Sequence, residues 1–349
     1  MSNPICYRRN FLKWTLLSAV SFLGACLADN KVQSIVNSRI IVVGAGIAGI
    51  AAAHSLQSRG ANVVVLEAKP HIGGRLLTDY SLGAAFEVGA GWIHGPDGNP
   101  ISTLAEKVKA KTFVTKDDSL LVYDRKGNVS SKASLAKLDD RFEALLKQVD
   151  DYVDADDLIS LRDAIARVNP TLLKDPLINW ALTVFTEFDT GGPIENLSAA
   201  YFDEDEAFEG DDVILINGYT PILTPLTEGL DIRLNTIVTD IEYKNQGVIV
   251  NSQKEKFVAD YVICTVPLGI LKAGKIAFHP PLPKSYQQSI GKIPLGNVTK
   301  VALQFPQAFW PLDTQYFGFQ SEVKGKWPYF MNYRTFSEHN ILVALSFGS

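Results

Sequence analysis

Two short apolar runs near the start of the chain have the pattern of buried parallel strands. Residues 39–43 and 62–66 are apolar at nearly every position and rich in β-branched side chains, as expected of strands covered on both faces. Between them, residues 50–58 are alanine-rich and helical in pattern, and Gly60 ends that helix. The pattern predicts a β–α–β unit.

The turn that leads from the first strand into this helix is rich in glycine, with the sequence Gly-Ala-Gly-Ile-Ala-Gly. Gly44 permits a tight turn, Gly46 lets the backbone approach a pyrophosphate, and Gly49 lets helix and strand pack closely. The helix N-terminus offers free N–H groups and a partial positive charge to an anion. The residues predicted to hold a pyrophosphate are therefore Gly44, Gly46, Ile47, Ala48 and Gly49.

The second strand ends at Glu67, 18 residues after Gly49. This is close to the spacing expected for a carboxylate that binds the ribose hydroxyls of a dinucleotide. A carboxylate there favours a free 2′-hydroxyl. The unit therefore predicts FAD or NAD rather than NADP.

The middle of the chain is predicted to be helical, over residues 102–110, 132–151, 158–167 and 176–185. Short antiparallel strands follow at 247–251 and 256–258, and residues 261–266 return to the buried sheet. We therefore expect two interleaved domains. The predicted division is a signal peptide and linker (1–36), a dinucleotide domain in two segments (37–97 and 210–285), and a substrate domain with a helical segment (98–209) and a sheet segment (286–349).

Composition narrows the possible functions only slightly. A net charge of −5 over 349 residues argues against a nucleic-acid binder. The five histidines are scattered, with no pair at metal-ligand spacing, so no metal site is expected. Cys264 lies in an apolar run and is predicted to be a buried, inert thiol.

The first thirty residues have the pattern of a secretion signal. Residues 7–13 resemble a twin-arginine export signal, and the apolar run at 14–28 is shorter than the roughly 20 residues that cross a membrane. Residues 23–26 resemble a lipobox, which would make Cys26 a lipid anchor; ordinary cleavage near Ala28 is the alternative. Either way we expect an exported protein, periplasmic or held at the membrane as a lipoprotein.

Further motifs distinguish FAD from NAD. A Gly-Gly-Arg triplet ends at Arg75, Gly-Ala-Gly-Trp-Ile-His-Gly follows at 89–95, and Thr-Val-Pro-Leu-Gly-Ile-Leu-Lys begins at Thr265. Gly-Asn-Val-Thr-Lys-Val at 296–301 and Phe-Trp-Pro at 309–311 complete the series. In these motifs the chain resembles the flavin-containing monoamine and polyamine oxidases, a family that includes spermine oxidases and lysine-specific histone demethylases.

The resemblance implies an α/β fold in which a FAD-binding Rossmann-like domain of the glutathione-reductase type is interleaved with an α+β substrate domain. It implies that Arg75 reaches the FAD pyrophosphate, that Gly91 and Trp92 pass beside the flavin ring, and that Val238 contacts the adenine through its backbone. To the residues of the β–α–β unit it thus adds these candidate FAD contacts: Ala68, Gly74, Arg75, Gly91, Trp92, Val238 and Thr265.

The resemblance also implies the catalytic and substrate residues. Lys300 holds a water against flavin N5, His94 lies at the substrate mouth as a candidate catalytic and substrate-contacting residue, and Glu187 contacts a substrate ammonium. From the residues alone, the orientation of Lys300 stays open, because strand alternation places it opposite Val301 and either face can be the buried one. Acidic clusters at 150–157 and 203–212 fit either attraction of polyamines or ordinary solvated surfaces.

The implied reaction is hydride transfer from the carbon next to a neutral amine to flavin N5. The imine is hydrolysed to an aldehyde and an amine, and oxygen reoxidises the flavin to give hydrogen peroxide. Family members continue beyond the length of this chain, with the last FAD segment and an aromatic cage. The alternatives are an inactive FAD-binding remnant, or half of a split amine oxidase completed by a second chain. A NAD-dependent dehydrogenase would need a second, nicotinamide-binding half-domain that the sequence does not contain.

Overall fold

The computed structural model describes residues 35–204 and 207–347. The predicted export signal and Cys26 lie in residues 1–34, outside the described residues. Within the described ranges, no helix has the length and apolar character needed to span a bilayer.

Eighteen strands lie in the described ranges. They are β1 (Arg39–Val43), β2 (Asn62–Leu66), β3 (Thr78–Asp79), β4 (Phe86–Glu87), β5 (Trp92–Ile93), β6 (Thr112–Val114), β7 (Leu120–Tyr123), β8 (Val213–Leu215), β9 (Asp231–Arg233), β10 (Val238–Lys244), β11 (Gly247–Ser252), β12 (Lys256–Ala259), β13 (Tyr261–Cys264), β14 (Ala277–His279), β15 (Val298–Gln304), β16 (Tyr316–Phe319), β17 (Tyr329–Asn332) and β18 (Ile341–Phe347).

Nine α-helices connect the strands in the same ranges. They are α1 (Ile47–Ser58), α2 (Pro100–Lys107), α3 (Lys132–Asp150), α4 (Leu161–Val168), α5 (Pro176–Leu182), α6 (Phe188–Thr190), α7 (Thr224–Thr227), α8 (Leu268–Lys272) and α9 (Lys284–Lys292). A π-helical turn, Thr183–Glu187, joins α5 to α6. Short 3₁₀ turns lie at Leu172–Lys174, Thr220–Leu223 and Tyr333–Thr335.

A parallel sheet with the order β13-β1-β2-β9 forms the centre of the first domain. Its two middle strands have the predicted bounds, because both are apolar runs that end at turn residues. Their side chains pack against α1, with Val42, Val65 and Ile50 fully buried. Since β9 and β13 come from the second half of the chain, two distant segments complete one sheet. The α/β fold is confirmed.

The other large unit is a five-stranded sheet with the order β15-β18-β17-β16-β7, packed against the helices α3 to α5. Its last strand, β7, lies between the predicted helices 102–110 and 132–151, as does β6. Each of these two strands is four residues or shorter, too short to show a period, and β7 is held in place by its parallel pairing with β16. The sequence analysis therefore did not find the strands at 112–114 and 120–123.

The structure settles two orientations that the sequence pattern left open or misjudged. On β15, Lys300 and Ala302 face the packed side of the sheet, whereas Val301 and Leu303 are exposed. Cys264 was predicted to be buried, but it is exposed because it is the last residue of β13, at the carboxyl edge of the parallel sheet.

Candidate active site

The turn between β1 and α1 has the shape that its glycines predict. Gly44 has a φ of +106°, which favours glycine. A Cβ on Gly49 would lie 2.0 Å from the Gly44 carbonyl oxygen, so helix and strand pack too closely for any side chain. A Cβ on Gly46 would meet no atom within 4 Å, and no side chain caps the helix there. The N–H groups of Ile47 and Ala48 in the first helical turn thus face an open space.

Glu67 lies at the carboxyl end of β2 and is only 8% exposed. Its Oε2 accepts the backbone N–H of Ala45 at 2.7 Å, and its Oε1 accepts that of Lys69 at 2.9 Å. The carboxylate is therefore held between the glycine turn and the segment that follows β2, where Ala68 is exposed.

The Gly-Gly-Arg loop lies directly against the first glycine turn. The Gly73 N–H donates to the Ala45 carbonyl at 2.8 Å, and a Cβ on Gly74 would lie 3.3 Å from the Gly46 Cα. The side chain of Arg75, the next residue, is exposed. A guanidinium is thus available beside the open helix N-terminus, as the predicted pyrophosphate contact requires.

Two segments from the second half of the chain complete this region. The Thr265 hydroxyl donates to the Val43 carbonyl at 3.0 Å and would lie 2.7 Å from a Cβ on Gly44. The Thr236 N–H donates to the Glu67 carbonyl at 2.8 Å, which places Val238, two residues later and buried, near the end of β2. All of the predicted adenosine-side and pyrophosphate residues therefore meet around one edge of the parallel sheet.

Lys300 points into a small cavity of about 30 Å³. Its Nζ donates to the carbonyls of Gly89 and Glu87, the latter at 3.3 Å, and lies 5.5 Å from the Trp92 ring centroid. A Cβ on Gly91 would lie 3.4 Å from this nitrogen. Burial lowers the pKa of the Lys300 amine to about 8, against the opposing effect of the Glu87 carboxylate. A cavity of this volume has room for a water molecule.

Glu87 shares this cavity and was missed by the sequence analysis. Its side chain is almost fully buried and accepts hydrogen bonds from the Thr78 hydroxyl and the Tyr219 N–H. Burial raises the pKa of its carboxyl to about 7, although these hydrogen bonds and Lys300 pull it down. The only sequence signal for Glu87 was its position, one residue after a phenylalanine and two before a glycine-rich motif. Many carboxylates in surface turns have similar neighbours.

His94 lies beside Trp92, with the two rings stacked at a centroid distance of 6.4 Å. Its Nδ1 is 2.6 Å from Oδ2 of Asp212, and the other carboxylate oxygen of Asp212 accepts the Gly95 N–H at 3.0 Å. The histidine side chain is 64% exposed. This orientation fits the predicted place at the mouth of the site, and Asp212 is a partner that only the fold could assign.

Glu187 is buried at the end of the π-helical turn. Its Oε1 is 2.6 Å from the Lys324 ammonium and accepts the Ile194 N–H at 2.8 Å. The adjacent Phe188 ring contacts Trp92 and Phe347. The carboxylate thus already binds an ammonium of the chain itself, and its contact with a substrate ammonium stays a prediction.

Residues 47–348 match the family described as flavin containing amine oxidoreductase. The chain belongs to this family. Probable polyamine oxidase 4 of Arabidopsis thaliana is 32% identical over 338 residues, which cover 91% of this chain and 68% of that protein. Lysine-specific histone demethylase 1 homolog 2 of the same plant is 35% identical over 328 residues, covering 88% of this chain and 44% of that protein.

Solved structures of putrescine oxidase share the fold. The wild type bound to putrescine has a TM-score of 0.68 at 22% identity, covering 89% of this chain and 76% of that one. A triple mutant with redesigned cofactor binding has a TM-score of 0.70 at 22% identity.

This flavin-containing amine oxidase therefore takes FAD as its cofactor. The residues present fit that group, because the space at Gly46 is open, the α1 N-terminus is uncapped and Arg75 is exposed beside it. Among the described residues, no three or more His, Cys, Asp or Glu side chains converge to hold a metal ion.

Proposed function

We propose that this amine oxidase oxidises the carbon next to a primary or secondary amine of a polyamine or monoamine, with hydride transfer to flavin N5. The proposal rests mainly on the position of the Lys300 amine in its cavity. The amine contacts Gly89 and lies over the Trp92 ring, in the segment that contains the predicted flavin contacts Gly91 and Trp92. Burying an amine there costs free energy, which favours a functional role for it.

When bound, FAD supplies the two-electron acceptor. The residues around the β1–α1 turn and Arg75 would bind its pyrophosphate, and Glu67 its ribose. Lys300 would hold a water in the cavity, and its pKa of about 8 keeps a neutral fraction of the amine available near neutral pH. Water then hydrolyses the imine to an aldehyde and an amine, and oxygen is the terminal acceptor.

The substrate mouth would lie at His94. Asp212 orients this ring through Nδ1, and the histidine side chain is largely exposed. The acidic residues of 203–212, which include Asp212, favour binding of a cationic substrate, and this substrate would lose a proton before oxidation. The printed names of the relatives, which include polyamine oxidases, support the same substrate class.

The decisive experiment is anaerobic reduction of the bound flavin. The purified protein is loaded with FAD, mixed with spermine or tyramine without oxygen, and followed by its visible absorbance. We expect the wild type to bleach, Lys300→Met to retain FAD but bleach about a hundredfold more slowly, and exposed Lys292→Met to match the wild type.

Each other outcome has a distinct meaning. A protein that binds no flavin contradicts the proposal at the cofactor. Flavin that binds but bleaches with neither amine favours the inactive FAD-binding remnant or half-enzyme. Unchanged bleaching in Lys300→Met would refute the role given to Lys300.

A further inference from the structure

Glu87 is held by parts of the chain that are far apart in sequence. The Thr78 hydroxyl donates to both carboxylate oxygens, at 3.0 and 3.1 Å, and the Tyr219 N–H donates to Oε1 at 2.8 Å. The same Thr78 oxygen lies 3.0 Å from the Tyr219 and Thr220 nitrogens. A buried carboxylate costs free energy, and these hydrogen bonds offset part of that cost.

The backbone on either side of Glu87 provides the acceptors for Lys300. The Glu87 and Gly89 carbonyls both accept from its Nζ. The Val88 N–H donates to the Leu77 carbonyl at 2.9 Å, so this segment is also anchored through its main chain. The Glu87 side chain lines the same cavity as Lys300 and its charge raises the pKa of the amine, while the Glu87 carbonyl contacts that amine directly.

We propose that Glu87 is a positioning residue that sets the direction and the charge of the Lys300 amine. Its use in amine oxidation rests on the proposed function. The pairing itself does not, because it concerns two side chains in one cavity.

The other titratable groups that interact electrostatically with Glu87 are Tyr219 and Tyr333. Burial raises the pKa of both hydroxyls above their usual range, so both stay neutral near pH 7. Lys300 is then the only cation that acts on Glu87 among the groups that shift its pKa within the described residues. Loss of the carboxylate charge should lower the pKa of Lys300 below its value of about 8, since burial is then unopposed.

The test reads the amine itself. The full chain, with and without added FAD, is methylated with formaldehyde and a borane reductant between pH 6 and 10, and the labelling of Lys300 is measured by peptide mass spectrometry. In Glu87→Gln we expect the Lys300 midpoint to fall by about one pH unit or more, which is about fivefold more labelling at pH 7. Glu87→Asp should restore most of the wild-type profile.

Exposed Glu228→Gln is the matched control, and Lys292 is the internal reference whose labelling should not change. An unchanged Lys300 midpoint in folded Glu87→Gln, or an equal shift in Glu228→Gln, would overturn the proposal. If the flavin of the wild type does not bleach while the labelling shift in Glu87→Gln is present, the result counts against the proposed function alone.

A reciprocal measurement decides the question if Glu87→Gln does not fold. In protein with ¹³C at the glutamate carboxyls, the Glu87 resonance should titrate near pH 7 in the wild type. In Lys300→Met its midpoint should move to higher pH, because the cation that favours the carboxylate is gone. A midpoint that stays in place refutes the pairing.

Discussion

Glycines that look equivalent in the sequence meet different constraints in the fold. A Cβ on Gly49 would lie 2.0 Å from the Gly44 carbonyl oxygen, whereas Gly46 faces open space with an ordinary φ of −73°. The first is therefore required for folding. The second is required only if a ligand comes close to the backbone.

This contrast yields a matched pair of variants. Gly49→Ala should destabilise the protein by about 3 kcal/mol through overpacking and lose FAD binding. Gly46→Ala should change the free energy of unfolding by less than about 1 kcal/mol, yet weaken FAD binding about tenfold or more because the methyl occupies the cofactor space. Thermal melts and flavin fluorescence titrations measure both. Equal FAD affinity in Gly46→Ala and the wild type would contradict the assignment of the cradle.

At the scale of elements, the π-helical turn Thr183–Glu187 is tied to the loop between β16 and β17. Lys324 in that loop reaches Glu187 at 2.6 Å and lies 3.8 Å from Glu195. The Gly325 carbonyl next to it accepts the Phe347 N–H, so the loop also holds the end of β18. One ion pair thus helps to fix the position of Phe188 relative to the site.

Lys324→Met should destabilise the protein by about 2 kcal/mol, since it leaves the Glu187 carboxylate buried with a backbone N–H but no cation. The double variant Glu187→Gln/Lys324→Met should recover at least half of this loss. Exposed Lys326→Met in the same loop should melt like the wild type. If Lys324→Met melts like that control, the ion pair contributes nothing to stability.

At the scale of the whole molecule, chain segments separated by some two hundred residues form each unit, as the parallel pairings of β1 with β13 and of β7 with β16 show. The free energy of unfolding therefore depends on the assembled fold. A carboxylate that this fold buries should change that free energy with pH. Outside the site, the clearest case is Asp139 on α3. Burial, then repulsion from Glu143 and Asp140, raises the pKa of its carboxyl to about 6.

A raised pKa means that Asp139 favours the folded state at low pH and loses this contribution as the pH rises from about 4 to 6. Asp139→Asn should therefore raise the melting temperature by about 1–3 °C at pH 7.5 and leave it unchanged at pH 4. Exposed Asp156→Asn is the control in the same pH series. A gain that is equal at both pH values would exclude this electrostatic origin.

Much of the candidate site could be predicted because its motifs are local. The glycine turn, Glu67 and the Gly-Gly-Arg loop are short segments whose chemistry depends on residue type and spacing. Glu87, Asp212 and Lys324 could not be found this way, because each acts through a partner more than a hundred residues away. The export signal and Cys26, in residues 1–34, stay predictions.

The sequence by itself determined the β–α–β unit and predicted the residues that would hold a dinucleotide pyrophosphate, because strand period, helix start and glycine conformation are local properties of the backbone. Only the tertiary structure decided that Lys300 points inward, that Glu87 shares its cavity and that Glu187 binds Lys324. Burial and electrostatic pairing depend on which distant segments of the chain pack together. The periodicity of the sequence does not show which segments these are.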